Sequence, residues 1–139
     1  MRRQLQLFLG AKYHFSADVG RFGYQYTPKG IEPCMLLYDV AFRAGNVIVT
    51  AQHCWTEVNS EVAQFNPQGG ERISFDGTIK QYYKLNSRGL ERIDYNVGQL
   101  ENIDLVTHPY DNGLRFSEYW QNVKQSHLFN RKTEVQCTA

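Results

Sequence analysis

The stretch Tyr13-His14-Phe15-Ser16-Ala17-Asp18-Val19-Gly20-Arg21-Phe22-Gly23-Tyr24-Gln25-Tyr26 decides the fold. Tyr13, Phe15, Ala17 and Val19 alternate with His14, Ser16 and Asp18, the period-2 pattern of a half-buried strand. At Gly20 the apolar parity flips, to Phe22, Tyr24 and Tyr26. One extra residue in a strand swaps the faces of everything beyond it, so the flip predicts a β-bulge at the glycine. A long, bulged first strand is how a small barrel begins.

Outward from this segment the pattern repeats. Thr27-Pro28-Lys29-Gly30 reads as a turn, and Cys34 to Phe42 as a second strand with Leu36, Tyr38, Val40 and Phe42 on one face. Ala44-Gly45-Asn46 is a tight hairpin signal leading into a third strand, Val47 to Trp55. From Glu57 to Phe65 the spacing of Val58, Val62 and Phe65 becomes helical, and Asn66-Pro67 and Gly69-Gly70 stop it. Ile73, Phe75, Gly77 and Ile79 mark a fourth strand, with Gly77 placed for a sharp bend. A fifth runs from about Arg92 to Val97, and residues 103–106 extend it. Ser117 reads as the N-cap of a last helix carrying Tyr119, Trp120 and Val123.

Five strands, a short helix between the third and fourth, and glycine kinks on the first and fourth predict a mainly β protein. The expected architecture is a five-stranded OB-like barrel with a C-terminal helical extension. An SH3-like barrel or an irregular β-sandwich would give similar patterns. The barrel is expected over residues 1–106 and the extension over 107–139.

With 139 residues the chain has the size of one domain, and 42% hydrophobic against 21% charged residues is the balance of a folded protein. A net charge of +1 supplies no global field for a polyanion, so any such site must be a local cluster. Cys34, Cys54 and Cys137 are odd in number and widely spaced, which speaks against a disulfide framework and against zinc. No apolar run approaches a membrane span, no secretory leader is visible, and a cytoplasmic setting is expected.

From Phe15 to about Val106 the chain resembles a group of short proteins of bacteria, archaea and their mobile elements. The likeness rests on Ala17-Asp18-Val19-Gly20-Arg21-Phe22-Gly23, Leu36-Leu37-Tyr38-Asp39-Val40, His53-Cys54-Trp55, Gly70 to Ile79, Tyr82-Tyr83-Lys84 and Ile93-Asp94-Tyr95-Asn96. In that group the third piece more often has an Asp before the His, where this chain has Gln52. The resemblance implies an OB-like barrel and no activity.

Catalytic signals are weak. His53 and Cys54 are neighbours on a strand and therefore point to opposite faces. His14, His53, His108 and His127 lack the spacing of metal ligands, and no phosphate-binding or nucleophile motif is present. The chain reads as a binding protein with no enzyme activity, no cofactor and no metal. Its candidate nucleic-acid site is a set of rings and cations on two loops. Arg21, Phe22, Tyr24, Tyr26 and Lys29 flank the first, and Lys80, Tyr82, Tyr83, Lys84 and Arg88 the second.

Lys80, Lys84, Arg88 and Arg92 against Glu91 give residues 80–92 a charge of about +3. In an OB fold these loops bracket the ligand face, where rings stack on bases and cations neutralise phosphates. Single-stranded DNA or RNA is the favoured partner, since nothing reads as a recognition helix. The alternative is a protein-interaction module, a homo-oligomer or a mobile-element factor acting on a host protein. It would use Phe116, Tyr119, Trp120 and Phe129.

Overall fold

In the computed structural model the backbone of residues 2–85, 88, 91–108 and 113–129 is described, and of these the side chains outside 2–4, 82–85, 91–93 and 127–129. A 3-10 helix, Arg2–Phe8, leads into five strands: β1 Lys12–Thr27, β2 Gly30–Ala44, β3 Val47–Glu57, β4 Arg72–Leu85 and β5 Glu91–Thr107. Helix α1, Ser60–Phe65, sits between β3 and β4, and α2, Phe116–Phe129, follows β5.

The sheet is antiparallel in the order β3-β2-β1-β4-β5, and β3 and β5 meet where it curls back on itself. This is a five-stranded OB-like barrel with its short helix between the third and fourth strands. The 3-10 helix touches β3, β4 and β5, and its Leu5 is fully buried in the core. It plugs the seam that ladder hydrogen bonds leave open, a role that a seven-residue segment without clear periodicity did not announce.

The parity flip has the predicted cause. The β1–β2 register shifts between Val19 and Phe22, and beyond it Phe22 and Tyr24 take the buried side. A second irregularity lies across the barrel, where the β4–β5 register shifts between Asp76 and Thr78 around Gly77. A Cβ on Gly77 would lie 2.7 Å from Val97 Cγ1, so the bend there is also a close approach of β4 to β5.

The core is centred on Phe15, which pairs with Phe42 on one side and Phe75 on the other. Its ring lies 4.9 Å from that of Phe42 and 5.5 Å from that of Phe75, nearly parallel to the latter. Sequence spacing placed the fifth strand in two pieces. It is continuous, because Gln99 and Asn102 absorb the interruption at φ 54 and 52. Asn59 both caps α1, accepting from Val62 N–H, and donates to the Leu100 carbonyl (2.9 Å each), which ties α1 to this part of β5.

Helix α2 begins at Phe116, one residue before the predicted N-cap. The cap is supplied from elsewhere: Ser117 N–H donates to Asn66 Oδ1 at 2.8 Å. Asn66 stands in the left-handed region that ends α1 (φ 56), so one residue closes the first helix and opens the second. Phe116 N–H donates to the Pro67 carbonyl and Gly69 N–H to that of Leu114, completing the seam. Phe116 belongs to the main core, so the C-terminal helix docks on the barrel.

Candidate nucleic-acid interface

Two faces of the β1–β2–β3 sheet must be separated. Leu37 and Cys54 are register partners and fully buried in the core, so Leu36 and Trp55, the adjacent pair, point the other way. On that outer face Tyr38 pairs with His53, their ring centroids 6.4 Å apart. Tyr38 is 42% exposed, yet its ring rests against β1: a Cβ on Gly20 would fall 2.3 Å from Tyr38 Cε2. Only glycine leaves room for the ring. Arg21, exposed on the same strand, holds its guanidinium 5.8 Å from the centroid of the Trp55 ring.

Beside this group Arg72 clamps the irregular part of the sheet. Its guanidinium donates to Asp18 Oδ1 (3.0 Å), Ser16 Oγ (2.9 Å) and the carbonyl of Asp39 (3.3 Å), a residue at φ 49. The clamp joins β1, β2 and β4 where their registers change, which fixes the position of Tyr38 one residue away. Farther along the face a shallow cleft of about 220 Å³ is lined by His14, Ser16, Ala41, Arg43, Ile48 and Ser74, among others.

At its end His14 Nδ1 donates to Asp76 Oδ1 (2.8 Å) and Asn102 Nδ2 to Asp76 Oδ2 (2.9 Å). The Asn102 and His14 hydrogen bonds hold the Asp76 carboxyl below its ordinary value, outweighing the opposing effect of burial. Its folded-state pKa is thus depressed. The contribution to stability is present above the ordinary Asp range and is lost as pH falls through the folded value. Unfolding midpoints of Asp76→Asn and the parent, followed through acid pH, are expected to converge as the pH drops. A constant gap down to full protonation would contradict this.

The residues singled out on the first loop divide into exposed and buried sets. Arg21, Tyr26 and Lys29 are exposed, the last two at the tip of the β1–β2 hairpin. Phe22 and Tyr24 are buried. Phe22 packs on Phe116 and Tyr119, each at 5.6 Å between centroids, so it is committed to docking α2. Tyr24 lies against Tyr26, with ring centroids 6.1 Å apart. Two aromatic sets that sequence kept separate, one for a nucleic acid and one for a partner protein, thus meet.

Phe116 also stacks on Trp120 at 6.3 Å, and Lys124 lies 5.8 Å from the Trp120 ring centroid. Tyr119 is held there with its hydroxyl buried and without a hydrogen-bond partner among the described residues. Burial, with Tyr24 nearby, pushes its pKa up to about 12.

On the second loop Lys80 is half-buried, its stem across Gly98, where a Cβ would be 3.0 Å from Lys80 Cδ and Cε. Arg88 is exposed in the turn between β4 and β5. The side chains of Tyr82, Tyr83, Lys84 and Phe129 lie outside the described residues. Tyr38 and His53 were missed as a pair because their spacing in sequence carries no signal. Only the β2–β3 register brings them together.

Cys54 is buried in the core while His53 faces outward, as strand alternation requires. The reading against disulfides is corrected at one position: Cys34 is disulfide-bonded, whereas Cys54 is not in a disulfide. Odd number and wide spacing constrain connectivity, but proximity is set by the fold. Among the described residues no cluster of three or more His, Cys, Asp or Glu is arranged for a metal ion, and no helix is long and apolar enough to cross a membrane.

No protein-family model matches the chain, and no curated protein matches it in sequence. Among solved structures it is similar to a mitochondrial single-stranded DNA-binding protein from S. cerevisiae. That similarity has a TM-score of 0.44 and 11% identity, over 71% of this chain and 97% of that one. At that level the likeness carries no argument. The barrel is identified by its own strand order, and its outer face is characterised by its own side chains.

Proposed function

We propose that this protein is a non-catalytic binder of single-stranded nucleic acid, and that the strand lies on the outer face of β1, β2 and β3. The observation that carries the reading is the half-exposed Tyr38 ring, seated on Gly20 beside His53, with the exposed Arg21 held close by over Trp55. A ring already immobilised loses little entropy when a base stacks on it, and an adjacent guanidinium can pair with a phosphate or stack in turn. Tyr26, Lys29, Lys80, Arg88 and the Tyr82–Lys84 segment extend the site at the two hairpins. With a net charge of +1 the cations act locally, so affinity falls steeply with salt.

The test uses variants of the two central residues. Tyr38→Ala is expected to cost ~1–3 kcal/mol of binding to a labelled single strand, on the order of 5- to 150-fold. Arg21→Ala is expected to weaken binding and to reduce the dependence on log salt by about one phosphate contact. If folded Tyr38→Ala binds as tightly as the parent, the site is misplaced.

A further inference from the structure

The strand registers make a trough of the outer face. Thr50, Ala41, Ser16 and Ser74 are successive partners across β3, β2, β1 and β4. The next row, Val49, Phe42, Phe15 and Phe75, is buried, so strand alternation turns these four small side chains outward. Larger residues stand on both sides: Tyr38 and Arg72 along one ridge, Ile48, Arg43 and His14 along the other. Four strands about 4.8 Å apart give the trough a length of roughly 14 Å. The cleft of about 220 Å³ lies in it. Its Ala41 is three residues from Tyr38, at most about 10 Å along β2.

The polar groups of the cleft are open to a ligand. Ser74 and Arg43 make no side-chain hydrogen bond or ion pair among the described residues. Ser16 Oγ accepts from Arg72, which leaves its own O–H to donate. Asp76 takes the proton on His14 Nδ1, so a singly protonated imidazole presents Nε2 as an acceptor. The lowered pKa of Asp76 keeps it in the carboxylate form that this needs. Arg72, on the opposite ridge, is paired with Asp18, whereas the Arg43 guanidinium remains for a phosphate.

A cleft of this volume falls below the roughly 300–1,000 Å³ of a site for a whole small molecule, and suits one base of a polymer. We infer that it reads the base next to the one stacked on Tyr38, and that it selects cytosine or adenine. Both place an exocyclic amine beside a ring nitrogen on an edge that a single strand leaves open. The amine donates to His14 Nε2, the ring nitrogen accepts from a serine hydroxyl, and Arg43 holds the adjoining phosphate. Uracil and thymine put a carbonyl oxygen where the amine would be, which sets acceptor against acceptor. The inference rests on the strand-binding reading above and adds base selectivity to it.

The test compares labelled oligodeoxycytidine and oligodeoxyuridine of equal length by fluorescence anisotropy, at mildly alkaline pH. The two bases share ring size and differ at the groups the cleft would read. The parent protein should prefer deoxycytidine on the order of tenfold, the lower part of the range for a paired base contact. His14→Phe keeps a ring but no acceptor, and should bring the ratio close to one while leaving deoxyuridine binding intact. Ser74→Ala should reduce the ratio in part. Arg43→Ala should weaken both strands alike and lower the salt dependence by about one phosphate contact.

Equal binding of the two strands by the parent, or a preference that survives in folded His14→Phe, would overturn the subsite and leave the strand-binding reading standing. Loss of both affinities alike in His14→Phe would also overturn it, since that is the mark of a purely structural histidine. If the folded parent binds neither strand, the strand-binding reading falls and takes the subsite with it.

Discussion

Phe15→Ala is expected to lower folding stability by about 3–5 kcal/mol, the range for removing a fully buried aromatic ring. Phe15 has no exposed surface and is the register partner of both Phe42 and Phe75. Its ring therefore packs on residues of both flanking strands, β2 and β4, and no neighbour can collapse into the space without disturbing a ladder. Much of a small domain's total stability is at stake, because such domains are held by only about 5–15 kcal/mol. Urea unfolding followed by fluorescence gives the number. A loss under about 1 kcal/mol would mean the aromatic centre repacks freely, contrary to the close packing of interiors.

The second large effect is expected at a glycine whose importance is invisible in sequence. A Cβ on Gly113 would meet the Gly69 carbonyl oxygen at 2.7 Å and Gly69 Cα at 3.0 Å. Both obstacles are backbone, so no side chain can swing aside. The two glycines pass each other where Gly69 N–H donates to Leu114 O and Gln68 Nε2 to Gly113 O. Gly113→Ala must push the strand-like bridge between Gln68 and Arg115 apart, and with it the Asn66 cap on α2.

Overpacking of this kind costs about 1–3 kcal/mol. The expected signature is local. Hydrogen exchange should accelerate in α2 and at residues 66–70 while β1 and β2 stay protected. Uniform acceleration through the whole barrel would show that α2 is not a separately anchored element.

How much of this was legible follows from where the signals are local. The bulge at Gly20 and the bend at Gly77 were readable because a parity change, or a glycine within an alternating run, is written in consecutive residues. Helix α1 was readable from its spacing, though it is shorter than the periodic stretch. Its first turn is fixed by Asn59 reaching Leu100, a contact across 41 residues. The N-cap of α2 was assigned to Ser117 by a local rule, whereas the oxygen comes from Asn66. Continuity of β5 depends on Gln99 and Asn102 accepting positive φ; asparagine tolerates that region, but glutamine has no such preference to announce it.

The candidate site was legible in its ingredients and not in their allocation. Composition identified rings and cations near the first hairpin, and Arg21, Tyr26 and Lys29 do face solvent. The bulge that sequence revealed also decided the fate of Phe22 and Tyr24. By switching parity it turned them toward the buried side, where Phe116 and Tyr119 cover Phe22. Tyr38 had been assigned to a strand face shared with Val40 and Phe42. Asp39, at φ 49, breaks that parity, so Tyr38 faces outward while Val40 is buried.

The central claim is that the outer face binds a single strand by stacking and phosphate neutralisation. The most direct measurement is fluorescence anisotropy of the protein with labelled single-stranded DNA, single-stranded RNA and duplex, at low and high salt. Strands of roughly 20 nucleotides exceed the ~4–16 that one OB fold covers. The account predicts saturable binding to a single strand, weaker binding to duplex, and a linear loss of log affinity with log salt. Folded protein that binds no strand even at low salt would contradict it.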